Sequence, residues 1–133
     1  MVQIVYANGR KREMARLYIG ATILLTVYAQ LVFKWKIAIA GAFPVGSVER
    51  ILFLLRVLVN PWVISSYVAA LLASLFWIAA LTQLELSYAY PFISLTFVLV
   101  LLLSGLFFHE PITRFKILGL VLIVAGVIVG SRG

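Results

Sequence analysis

Three polar side chains in the first long apolar stretch are spaced so that they share one face of a helix. Thr26, Gln30 and Lys34 follow one another at intervals of four residues, and residues four apart are neighbours on a helix surface. If this face looks into a groove, Lys34 can hold an anionic group as a point charge, and Gln30 and Thr26 can form hydrogen bonds with a polar ligand. The simpler alternative is that Lys34 extends to the membrane surface and Gln30 bonds a neighbouring backbone carbonyl.

Glu85 lies between the second and third long apolar runs, near two tyrosines. It can pair with Lys34 or accept a hydrogen bond from an amine of a ligand. The alternative, which we favour, is an exposed loop carboxylate, because the chain must turn at this point and a carboxylate inside a membrane is costly.

A second carboxylate, Glu110, lies in the sequence His109-Glu110-Pro111. Proline disfavours helix for the residue before it, so this triplet ends the third run. We predict that Glu110 and Pro111 form a structural turn, in which Glu110 caps the next helix or pairs with Arg114. We assign no role to His109.

Proline inside the third apolar run predicts a bend. Pro91 removes a backbone hydrogen bond, kinks a helix and frees a carbonyl group, which suits the polar lining of a groove. We therefore place Tyr90 at the groove and Pro91 at its hinge.

The last apolar run contains Gly119, Gly126 and Gly130, and the last two are spaced as GxxxG. This spacing lets two helix backbones approach closely, so it predicts a dimer interface.

The composition excludes an ordinary soluble domain. Of 133 residues, 65% are hydrophobic and 11% are charged, which is too little polar surface to cover a core in water. The net charge of +7 comes from clusters between the apolar runs, a pattern that favours membrane lipids over nucleic acid as the partner. With no cysteine, one histidine and four carboxylates, we expect no metal site and no cofactor. Nor do a nucleophile, a base and an orienting group occur together, so we expect no enzyme activity.

The apolar runs predict an all-α integral membrane protein of four transmembrane helices, in a single membrane domain covering residues 1–133. A wedge formed by Glu49, Arg50 and Arg56 indicates an amphipathic helix in the headgroup plane, with Ser47 as its N-cap; the alternative is an extension of the second span. Lysines and arginines are nearly balanced between the two sides, so the positive-inside rule does not fix the orientation. The predicted segments are a basic arm at 1–16, the amphipathic segment at 47–59, and spans at about 17–37, 61–82, 87–108 and 113–131.

Three motifs in order resemble the drug/metabolite transporter superfamily, and the size and layout resemble its small multidrug resistance-like members. The motifs are LSYAYPFISL from residue 86, FFHEPIT from residue 107 and LGLVLIVAGV from residue 118. The resemblance implies a last span that forms dimers, with a second copy or with a related small membrane protein.

Two branches of this superfamily differ in the first span. The drug exporters carry a membrane-embedded glutamate where this chain has Thr26, and a tryptophan where it has Ile93. By contrast, AQLVFK, ending at Lys34, and the residues Tyr90-Pro91 with Ser94 resemble the flippase subunits for aminoarabinose-phosphoundecaprenol.

This closer resemblance implies a lipid-linked sugar phosphate as substrate, substrate contacts at Tyr90 and Ser94, and the bacterial inner membrane as location. We therefore predict a flippase for a polyprenyl-phosphate glycoside. The alternatives are a multidrug-type exporter whose coupling carboxylate has moved, for instance to Glu85, and an accessory subunit that transports nothing.

Overall fold

The structure, a computed structural model, describes residues 2–133, and the side chains of residues 9–133. Met1, the first residue of the predicted arm, lies outside this range. The described residues form helices without any strand, which confirms the all-helical class. The helices are α1 (Val2–Ala40), α2 (Ser47–Leu58), α3 (Pro61–Leu81), α4 (Leu86–Ile93), α5 (Leu95–Phe108) and α6 (Arg114–Gly130).

Helix α1 joins the basic arm and the first apolar run in one element. It has 39 residues and is therefore about 58 Å long, much longer than the roughly 30 Å of a hydrocarbon core. It ends before Gly41, whose φ of 95° is a conformation that favours glycine. The arm at residues 2–16 is thus a helical extension of the first span.

Helix α2 is separate from α3, because Val59 and Asn60 interrupt the two helices. The Asn60 side chain accepts a hydrogen bond from the Trp62 amide at 3.0 Å, and Pro61 occupies the first helical position, where its missing N–H costs nothing. The N-cap of α2 is Gly46, so the prediction of Ser47 as its cap is wrong.

The third apolar run is divided in two at Ser94, three residues after Pro91. The Ser94 amide bonds the Pro91 carbonyl at 3.2 Å, a tighter turn than that of an α-helix. Helix α5 ends at Phe108, and its C-cap residue His109 has a left-handed φ of 53°. Thr113 then caps α6 by accepting a hydrogen bond from the Lys116 amide.

The core lies where α1 contacts its neighbours. Ile19, Ile23 and Val27 on α1 are buried with Ala80 of α3 and Ala89 of α4. Helix α1 packs most extensively on α3, and also on α4 and α5, while α6 packs on α4 and α5. The order across the molecule is therefore α3, α1, the α4–α5 pair, then α6.

Small residues let α1 and α3 approach closely, as is usual between membrane helices. Ser66, Ala69 and Ala73 on α3 are all buried. Thr22 of α1 is also buried, and its hydroxyl donates to the carbonyls of Tyr18 at 2.8 Å and Ala73 at 3.3 Å. A side-chain hydrogen bond thus crosses this interface.

Three helical stretches are long and apolar enough to cross a membrane, and the chain is an integral membrane protein. In chain order, the most apolar 18 residues of each stretch have a mean hydropathy of 1.5, 2.0 and 2.4. Large apolar side chains on these stretches point outward, as for Leu71 (64% exposed) and Phe97 (67% exposed), which suits a lipid environment. The stretches are Gly9–Ala40, Pro61–Leu81 and Leu86–Phe108. Helix α6, in the region of the fourth predicted span, has 17 residues.

Candidate functional site

Thr26, Gln30 and Lys34 all lie on α1, but their surroundings differ. The Thr26 hydroxyl donates to the Thr22 carbonyl at 2.7 Å, so its proton is used within the helix. Gln30 and Lys34 are exposed. The two side chains nearer the end of the helix are therefore the ones available to a ligand.

Lys34 forms an ion pair that joins α1 to the turn between α5 and α6. Its Nζ lies 3.2 Å from Oε1 of Glu110, and the two side chains are 57% and 36% exposed. Neither predicted role of Glu110 is found, because Thr113 is the residue that caps α6 and Lys34, not Arg114, is the partner of Glu110. A correct prediction needed the packing of α1 against α5, which brings together residues far apart in sequence.

An apolar crevice lies at the same end of the molecule. Its volume is about 350 Å³, and it lies between α1 and the end of α5. The crevice is lined by Leu31, Val32, Trp35, Phe107 and Phe108. Lys34 directly precedes Trp35 on α1, and Glu110 follows Phe108 by two residues at the end of α5. The lining of the crevice is therefore apolar, and the Lys34–Glu110 pair lies at the same end of α1 without being part of that lining.

Glu85 lies at the opposite end of the molecule. It is exposed and lines a cavity together with Arg12 and Arg16 of α1. Arg16 and Lys34 are eighteen residues apart on one helix, which corresponds to about 27 Å along its axis. The alternative in which Glu85 pairs with Lys34 is therefore excluded.

Tyr90, Pro91 and Ser94 lie on the divided third run. Tyr90 is 65% exposed, and its ring packs edge-on against Trp77 with centroids 6.3 Å apart. The Ser94 hydroxyl donates to the Pro91 carbonyl. Only the oxygen lone pairs of Ser94 therefore remain for a ligand, whereas the Tyr90 hydroxyl is accessible.

The three glycines of α6 have different neighbours. A Cβ added at Gly119 or Gly126 would meet nothing within 4 Å, whereas one at Gly130 would meet the Pro91 ring at 3.6 Å. Gly130 therefore faces α4 within the chain. At Gly119 and Gly126, by contrast, the space that a side chain would occupy is empty. The predicted dimer interface thus has two unoccupied glycine positions, not three.

Sequence reasoning missed two features near these residues. Thr22 continues the spacing of Thr26, Gln30 and Lys34 by one turn, and that regular interval was visible in the sequence. The cavity at Arg12 and Arg16 was not, because it requires the turn after α3 to fold beside α1. Among residues 9–133, no three His, Asp or Glu side chains lie close enough to hold a metal ion.

Comparison with known proteins places the chain in a family of transporters. The model of the EamA-like transporter family matches residues 14–132. A relative from Pseudomonas aeruginosa (strain UCBPP-PA14), described as a probable 4-amino-4-deoxy-L-arabinose-phosphoundecaprenol flippase subunit ArnE, is 35% identical over 84% of this chain and 92% of its own length. No solved structure matches the chain significantly.

Two further relatives have similar descriptions. A probable flippase subunit ArnF for the same lipid, from Photorhabdus laumondii subsp. laumondii, is 35% identical over 84% of this chain and 91% of its own length. An ArnE subunit from Aeromonas salmonicida is 48% identical, over 52% of this chain and 60% of its own length.

Proposed function

Because this chain belongs to the EamA-like transporter family, we propose that it is a subunit of a flippase for an anionic lipid-linked sugar. Its substrate is a polyprenyl-phosphate glycoside, and its location is the bacterial inner membrane. The observation that carries this proposal is the 35% identity, over 84% of the chain, to subunits described as flippases for 4-amino-4-deoxy-L-arabinose-phosphoundecaprenol.

The end of α1 supports the proposal on physical grounds. A flippase must shield a polar head while the lipid tail stays in hydrocarbon, and it needs a cation for the phosphate. Lys34 supplies that cation, and the crevice at the end of α5 supplies an apolar wall. Gln30 lies one turn away on α1 and is exposed, so its amide bonds sugar oxygens. Tyr90 and Ser94 lie on the divided helix toward the end of the molecule that carries Glu85, and we place them along the path that the headgroup takes from the other end.

The proposal includes a fourth span and an interfacial helix. Helix α6 has 17 residues, or about 26 Å, and crosses the membrane beside α4 and α5. Helix α2 has no buried residue and carries Glu49, Arg50 and Arg56, so it lies in the headgroup plane with its apolar side toward the acyl chains. Both ends of the chain are then on one side of the membrane.

The groove is completed by a second subunit, because one layer of short helices encloses little volume. Gly119 and Gly126 on α6 have open space above them, where another backbone can approach closely. The partner is a second copy or a related small membrane protein, since the relatives are described as subunits of two kinds, ArnE and ArnF.

A translocation assay tests the role of Lys34. The protein is reconstituted in liposomes, alone and with a related subunit, and the transfer of a labelled polyprenyl-phosphate amino sugar is followed. We expect Lys34→Gln to slow transfer strongly, and Arg114→Gln to leave it nearly unchanged. Arg114→Gln is a matched control because it removes one positive charge from an exposed position that does not line the crevice.

Two other results would overturn the proposal. Proton-coupled transport of a cationic dye, lost in Glu85→Gln, would indicate a drug exporter. Absence of transport for both cargoes, with and without the related subunit, would indicate an accessory protein.

A further inference from the structure

A polar cavity lies at the end of the molecule remote from Lys34. Its volume is about 600 Å³, which falls within the usual range for sites that bind small molecules. It lies between the N-terminal part of α1, the turn after α3 and the end of α6. The side chains that define its chemistry are Arg12, Arg16, Glu85, Ser87 and Tyr88.

Neither Arg12 nor Arg16 forms an ion pair with another side chain of residues 9–133. Arg12 and Arg16 are four residues apart on α1, so they lie on one face with about 6 Å of rise between them. Among the side chains of residues 9–133, the one ion pair within 4.0 Å joins Lys34 and Glu110. Arginine presents a planar set of N–H donors that matches the oxygens of a phosphate. The cavity therefore offers two guanidinium groups with no carboxylate paired to either.

Glu85 gives the cavity a charge of the opposite sign. It is the N-cap residue of α4, but its side chain makes no capping hydrogen bond. A carboxylate in the lining of a purely anion-binding cavity lowers affinity by repulsion. The same carboxylate raises affinity when the ligand carries an ammonium group as well as a phosphate.

We propose that this cavity binds the phosphate of a lipid headgroup through Arg12 and Arg16, and that Glu85 selects a headgroup that also carries an amine. This inference rests on the proposed function and deepens it, because it adds a second phosphate site to the one at Lys34. Ser87 and Tyr88 supply hydroxyl groups for the sugar oxygens.

The separation of the two sites fits the thickness of a membrane. Leu17 to Phe33, between Arg16 and Lys34, contains no charged residue, and the two basic residues are about 27 Å apart along α1. The hydrocarbon core is about 30 Å thick. Each interface therefore has its own cations for the phosphate, and the arginine site serves the side that carries the N-terminal part of α1.

Equilibrium binding in nanodiscs tests the inference without requiring transport. Wild-type protein and an Arg12→Gln/Arg16→Gln variant are titrated with a polyprenyl phosphate, and bound lipid is counted by native mass spectrometry. We expect the variant to bind roughly tenfold to a hundredfold more weakly, as for the loss of charge-assisted hydrogen bonds. An Arg10→Gln/Lys11→Gln variant is the matched control, because it removes two charges from exposed positions that do not line the cavity.

All titrations are done in a Lys34→Gln background, and the protein with this substitution alone is the wild-type reference for the comparison, so that binding at the other end does not mask the effect. Equal weakening in the cavity variant and the control would overturn the inference, since it would indicate general attraction to the surface. Inorganic phosphate provides the second arm. Binding of inorganic phosphate as tight as that of the lipid would show a soluble-anion site and would also overturn the inference.

Glu85→Gln should change the binding affinity for two ligands in opposite directions. With polyprenyl phosphate, removal of the carboxylate relieves repulsion and should strengthen binding by up to about fivefold. With the same lipid carrying an amino sugar, the variant should bind more weakly than wild type. Equal changes for both ligands would overturn the assignment of Glu85 to the amine.

The binding result and the transport result are separable. If Lys34→Gln stops transport while Arg12→Gln/Arg16→Gln binds like wild type, the proposed function stands and this inference fails. If the cavity binds the amino lipid as expected but wild-type protein moves no lipid with either partner, the flippase proposal fails instead.

Discussion

The ion pair between Lys34 and Glu110 separates a structural role of Lys34 from a ligand-binding role. Lys34→Gln and Glu110→Gln each break the pair, so a purely structural clamp predicts the same result for both. If Lys34 instead binds the lipid phosphate, the two variants act in opposite directions, because Glu110 competes with the phosphate for the same ammonium group.

The magnitudes follow from the exposure of the pair. The side chains are 57% and 36% exposed, with Nζ and Oε1 3.2 Å apart, and pairs of this kind contribute about 0.2–1 kcal/mol to stability. Neither variant should therefore lower the free energy of unfolding by more than about 1 kcal/mol. For lipid binding, Lys34→Gln removes a charge-assisted contact and should weaken affinity by roughly tenfold to a hundredfold. Glu110→Gln should strengthen it by up to about fivefold.

The assay combines titration of a polyprenyl phosphate in nanodiscs with reversible unfolding in mixed micelles. Both variants are measured with Arg12→Gln/Arg16→Gln in the background, so that binding at the remote cavity does not contribute. Opposite changes in affinity, with small changes in stability, are the expected result. If both variants weaken binding to the same extent, Lys34 acts as a clamp between α1 and the turn, and the assignment to phosphate is refuted.

Three further predictions concern the helices that position the site. Thr22→Val removes the hydrogen bond to the Ala73 carbonyl between α1 and α3 and should lower the free energy of unfolding by about 0.6 kcal/mol; no change in reversible unfolding would contradict this. Gly126→Leu should weaken association with a partner, measured by energy transfer between labelled copies, without changing the monomer fold, since open space surrounds this position; unchanged association would place the interface elsewhere. Pro91→Ala restores a backbone N–H and should slow lipid transfer while binding is retained, and an unchanged rate would show that the bend is not a hinge.

Much of the fold could be predicted from local patterns in the sequence. Runs without charge marked the apolar stretches, and the second predicted span starts at residue 61, where α3 also begins. Pro91 predicts a bend in the third apolar run, and the helix is indeed divided three residues later, at Ser94. These features depend on interactions within one turn of a helix.

The partners of the charged residues could not be predicted in the same way. Lys34 and Glu110 meet because α1 packs along α5, and Glu85 lies near Arg16 because the turn after α3 folds beside α1. Such contacts depend on which helices are neighbours and on their relative heights, and neither follows from spacing along the chain. The long α1 adds a further reason, because its basic residues are placed by a helix that continues beyond the predicted span.

The most direct test of the proposed flippase function is the choice of cargo by wild-type protein. Liposomes containing the chain and a related subunit are loaded with both a labelled polyprenyl-phosphate amino sugar and a cationic dye, and the two initial rates are measured with and without a proton gradient. We expect the lipid to cross at a rate well above that in protein-free liposomes, and the dye to stay at the protein-free rate. Transfer of the dye in response to the gradient, with the lipid at the protein-free rate, would contradict it.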